Sequence, residues 1–107
     1  MSTSKKAQQA PKVQSPDGKE LTEISVSTYR SHVEIVVSGQ AGGTKVTAHF
    51  KVQENADWSY SATAVAGQPL KIELQAAAYK LHQGKTATIT YTTDQGTSDA
   101  LHIKIVA

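Results

Sequence analysis

From residue 20 onward the chain is a succession of short stretches in which apolar and polar residues alternate. A period of two sends successive side chains to opposite faces, which is the pattern of a half-buried β-strand. The clearest case is KVTAHFKVQ, with Val46, Ala48, Phe50 and Val52 on one face and Lys45, Thr47, His49 and Lys51 on the other. The same alternation predicts a first strand around Ile24 and Val26, a second at HVEIVVSG with Val33, Ile35 and Val37 inward, and a fourth at WSYSATA. In that fourth strand Trp58, Tyr60, Ala62 and Ala64 share the inward face. LKIELQA sends Leu70, Ile72, Leu74 and Ala76 inward, and the closing strand does the same with Leu101, Ile103 and Ile105. In KTATITYTT, Ala87, Ile89 and Tyr91 oppose a row of Thr86, Thr88, Thr90 and Thr92.

Between these stretches stand turn signals: GQAGG, the polar QENAD, Gly67-Gln68-Pro69 and DQGTSD. AAYKLHQG is too short for a free-standing helix and is expected to form a single turn crossing from one sheet to another. Seven short strands at this rhythm, with no long amphipathic helix among them, predict an all-β fold: an antiparallel sandwich of two facing sheets. Residues 1–19 carry Pro11, Pro16 and the pair Asp17-Gly18 and few apolar groups, so they are expected to be a flexible polar tail ahead of a single domain at residues 20–107.

Composition narrows the chemistry. With 107 residues the chain suits one domain, and its lack of cysteine rules out disulfides, thiolate metal sites and a cysteine nucleophile. A net charge of +2, with scattered lysines and Arg30 as the sole arginine, gives no basic face for nucleic acid. No apolar run is long enough to span a membrane, and MSTSKKAQQAPK lacks the apolar segment of a signal peptide. Membrane insertion is therefore not expected. Localisation is left open between a virion and, for a piece of a longer chain, a cell surface.

Residues 57–107 resemble bacterial immunoglobulin-like domains, the sandwich modules of intimin- and invasin-type adhesins and of phage virion proteins. The resemblance rests on the DWSY strand entry, the alanine-rich corner, LHQGKTATITY, a glycine-containing turn and TSDALHIKI. Leu81, Gly84, Tyr91, Gly96, Ser98, Leu101, Ile103 and Ile105 stand at the places such repeats use. Leu81 and Gly84 are also similar to the corner of fibronectin type III modules, but Ala87 stands where that family places a tyrosine. The resemblance implies an immunoglobulin-like sandwich of about seven strands that does no chemistry, needs no cofactor and presents loops or a sheet edge to a protein or glycan on a bacterial or virion surface. A carbohydrate-binding module and a virion decoration or tail protein are the alternatives.

The residues support that expectation. The four histidines form no close ligand pair, although a cross-strand pair of His49 with His102 is conceivable, and the carboxylates are spread singly without a GxSxG or other nucleophile motif. The threonine row is read as the wet face of a strand, because one row does not make the flat threonine array of an ice-binding surface. Trp58, Tyr60 and Tyr91 are assigned to the core. Tyr29 and Tyr79, at strand ends and expected to reach water, are grouped with Arg30, His32 and His82 as the candidate binding cluster, carried by the loops TYRSH and YKLHQGK. GQAGGT is a third candidate loop.

Overall fold

The computed structural model describes residues 9–52 and 56–107. The first eight residues of the expected tail and residues 53–55 of the QENAD turn lie outside that range. The described residues form ten strands: β1 (Lys12–Gln14), β2 (Glu20–Leu21), β3 (Glu23–Ser25), β4 (His32–Val37), β5 (Lys45–Val52), β6 (Ala56–Thr63), β7 (Leu70–Gln75), β8 (Thr86–Thr93), β9 (Gly96–Thr97) and β10 (Leu101–Val106). The seven expected strands are β3 to β8 and β10. The three additional ones are two or three residues long.

The strands form two sheets, ordered β2-β1-β4-β7 and β3-β10-β8-β5-β6, with β9 pairing β8. All neighbours are antiparallel except β3, which runs parallel to β10 with Ile24 beside Ile105. Between the sheets lies the core that the alternation marked: Val33, Ile35, Val46, Phe50, Ile72, Leu74, Ile89, Ile103 and Ile105 are all essentially without solvent exposure. Burying each such side chain contributes roughly 1.5–3 kcal/mol, so the contiguous cluster supplies the driving force for the fold. The expected crossing turn is a 3-10 turn, Ala76–Ala78, that carries the chain from β7 in the smaller sheet to β8 in the larger. Gly84 closes this crossing at φ 88°, a conformation that suits glycine, and its N–H donates to the Ile105 carbonyl at 2.7 Å.

The sandwich begins earlier than the hydropathy pattern indicates. Within the expected tail, Lys12–Gln14 pairs with β4, placing Val13 opposite Ile35, and Val13 is wholly buried. A tight turn follows, with Gly18 N–H donating to the Ser15 carbonyl and Lys19 N–H to the Ser15 hydroxyl, and leads into β2. One valine among polar neighbours gives no period, yet the backbone edge of β4 recruits the segment and its single apolar side chain reaches the core.

A second difference concerns the fourth expected strand. The register Ala48↔Tyr60 and Phe50↔Trp58 puts both aromatics on the core-facing side of β6, as the alternation predicts. Coverage is another matter. The smaller sheet ends at β7 and β6 overhangs it, so Phe50 is fully buried while Trp58 is only half-buried and Tyr60 remains 56% exposed. Tyr91, on the central strand β8, is buried as expected.

Candidate binding surfaces

At the end of the sandwich where β3 and β7 finish, two loops meet: residues 26–31 and residues 76–85. Tyr79 joins them. Its ring is wholly buried and its hydroxyl donates to the Tyr29 carbonyl at 2.6 Å, so the expectation that Tyr79 reaches water is corrected: it is a strut, not a contact. A buried phenol needs a partner for its hydroxyl, and the Tyr29 carbonyl supplies it. Burial pushes the Tyr79 hydroxyl up to about 12 from its ordinary value of 10.0, so it stays a donor through the neutral range. A second tie, Ala76 N–H to the Ser31 carbonyl at 2.9 Å, holds the same two loops together.

The other members of the predicted cluster are arranged around this strut. Tyr29 is half-buried and packs on the core. Arg30 is exposed, its Nε donating to the Ser27 carbonyl at 3.0 Å. His32 has turned away onto the outer face of the smaller sheet, with Nε2 3.5 Å from Glu73 Oε2. His82 is half-buried, in the turn where its N–H donates to the Tyr79 carbonyl at 2.9 Å. What the loops present outward keeps only Arg30 of that cluster. Arg30 and Lys80 line an open hollow of ≈ 260 Å³ together with Val26 and Ala76. Leu81, beside it in sequence, is 81% exposed, the most exposed large apolar side chain among the described residues. The sequence reading favoured aromatics and histidines and passed over Lys80 and Leu81. The signal was the position of Leu81, apolar in a turn with no alternation to bury it.

The opposite end gathers residues 38–44, 64–69 and 94–100. Here Gly43 N–H donates to the Ala64 carbonyl at 2.9 Å and Ala64 N–H to the Thr44 carbonyl at 2.8 Å. Gly42 packs so tightly that a Cβ there would meet Ala66 Cβ at 2.9 Å. The GQAGGT loop is therefore tied down by contact with its neighbour rather than merely flexible.

The outer face of the larger sheet is hydroxyl-rich. Thr86, Thr88, Thr90 and Thr92 of β8 point outward as the alternation predicts, and the register adds Thr47 between Thr92 and Ser61. Thr47 Oγ1 and Ser61 Oγ lie 2.9 Å apart, and His49 Nε2 is 3.2 Å from Thr92 Oγ1. His49 and His102 do not pair, because β8 runs between their strands. His102 instead meets Thr88, Nδ1 to Oγ1 at 3.2 Å. Among the described residues no group of three or more histidine and carboxylate side chains is placed to hold a metal ion, and no helix is long and apolar enough to cross a membrane.

The architecture defines an all-β protein, a sandwich of two packed sheets. Compared with family models, curated proteins and solved structures, the chain matches none.

Proposed function

We propose that this chain is a non-catalytic, immunoglobulin-like binding module of a bacterial or phage surface protein, which makes adhesive or protein–protein contacts through loops held on a rigid sandwich. The strand order supports the immunoglobulin-like type. With β1, β4 and β7 in one sheet and β5, β8 and β10 in the other, the sheets correspond to the A-B-E and C-F-G groupings of that fold, and β6 takes the place of an added C′ strand.

The observation that carries the binding reading is the Tyr79 strut. It couples two loops into one unit, with Arg30 and Lys80 lining a hollow and Leu81, next to Lys80 in sequence, exposed to water; cations and an apolar side chain on one loop pair suit an acidic, partly apolar protein surface. The test is capture from bacterial envelope and virion fractions by the chain and by an Arg30→Ala/Lys80→Ala/Leu81→Ser variant. A protein retained by the first and lost with the second supports the reading. Equal retention by both, with the variant folded, contradicts it.

One observation favours glycan binding as a second reading: Tyr60 is exposed beside Trp58, their ring centroids 6.2 Å apart and their planes 17° from parallel. Exposed aromatic faces are what a sugar ring stacks on. Retention on glycan columns that is abolished by Tyr60→Ala and untouched by the loop variant would select this reading over the first.

A further inference from the structure

The free edges of the two sheets differ in how they are protected. β2 and β3 are two and three residues long, and β7 carries Lys71 and Glu73. Short or charged edges discourage the pairing of strands from different molecules. β6 has neither protection. Its eight residues pair with β5 in unbroken register, without bulge, proline or lysine, and Asp57 is its only charged residue. Among the described residues no strand pairs its far side. The same strand carries the aromatic surface that the smaller sheet fails to cover, so its unmet backbone groups and its uncovered ring lie side by side.

We infer that β6 is an interface with a second copy of this chain, in which two β6 strands pair antiparallel about a two-fold axis and join the larger sheets into one continuous sheet. The choice of a second copy rests on self-complementarity. An isologous strand pair brings each residue opposite one of the same strand. An axis at Tyr60 sets Tyr60 opposite Tyr60 of the second copy, an aromatic pair of the kind that stabilises antiparallel strands. It also sets the bulky Trp58 opposite the small Ala62, leaving room for the indole. Asp57 falls opposite Thr63, so no like charges meet. The interface does not depend on the loop end of the molecule and stands or falls separately from the loop-borne binding proposed above.

Sedimentation velocity of the 107-residue chain over a concentration series tests this directly, with two variants alongside. The expected result is a concentration-dependent dimer that Tyr60→Phe retains and Tyr60→Lys, which sets two ammonium groups opposite each other, abolishes. The parent and both variants are to share one far-ultraviolet circular dichroism spectrum. Because the chain has no cysteine of its own, oxidation of Tyr60→Cys is expected to give a disulfide-linked dimer much faster than oxidation of Lys71→Cys on the other edge. A chain that sediments as a monomer at every concentration, a dimer indifferent to Tyr60→Lys, or cross-linking no faster through position 60 than through position 71 overturns the inference.

Discussion

Strands β6 and β7 are both sheet edges, both alternate cleanly, and both direct their larger apolar residues inward, yet they end in opposite environments. On β7, Ile72 and Leu74 are buried to within 1%. On β6, Trp58 is half-buried and Tyr60 lies mostly in water. The difference is one of coverage. β7 lies against the larger sheet, whereas β6 extends past the margin of the smaller one. A side chain's face is decided by its own strand, but its burial is decided by what the opposing sheet places above it.

The largest effect that separates the two edges is expected from Leu74→Ala. It removes a fully buried side chain, and the unfolding free energy in urea should fall by about 2–5 kcal/mol. Trp58→Ala should fall between the extremes, at roughly 1.5–2.5 kcal/mol, because only part of the indole leaves the core. A loss as large as that of Leu74→Ala would mean that the overhang is closed in solution.

Tyr79→Phe probes the contrast between a buried and an exposed tyrosine and should lower stability by about 1 kcal/mol, the worth of an ordinary hydrogen bond. It also carries a pH signature. The folded pKa of Tyr79 lies above the unfolded one, so its stabilising contribution is complete below about 10 and is lost as pH rises toward about 12. Urea midpoints of the parent should therefore decline over that window. Those of Tyr79→Phe should decline less, leaving the smaller part that comes from Tyr91, whose hydroxyl is also raised by burial. Smallest of all, Tyr60→Ala measured in dilute solution should change stability by no more than about 0.5 kcal/mol, as for other exposed positions.

The comparison also shows which parts of the molecule could be read from the sequence. The row Thr86, Thr88, Thr90 and Thr92 opposite Ala87, Ile89 and Tyr91 specified a strand and both of its faces, because a period of two is a local property. Strand order is not local. The separation of His49 from His102 by β8 follows from which strand lies between which, and no residue in either strand encodes that alone. Val13 was missed because Ser15 and Asp17 follow it at the period of two, whereas Val26 follows Ile24 of β3. Tyr79 was misassigned because a residue in an irregular turn has no alternation to say which way it points. Of the candidate cluster, Tyr29 and Arg30 stand on one of the two loops that Tyr79 ties together and His82 on the other, while His32 turns to a sheet face and engages Glu73. Lys80 and Leu81 emerge only once the strut has fixed how the two loops sit.

The uncovered inner face of β6 underlies the stability contrast, the glycan-binding alternative and the edge interface alike, and thiol accessibility tests it most directly. The cysteine-free chain allows Tyr60→Cys and Leu74→Cys to be labelled separately with a thiol reagent, in solution dilute enough to hold the monomer. Labelling at position 60 should proceed within about tenfold of the rate in denaturant, and labelling at position 74 should be slowed by orders of magnitude, as expected where only opening of the core admits the reagent. Equal protection at the two positions would contradict the overhang.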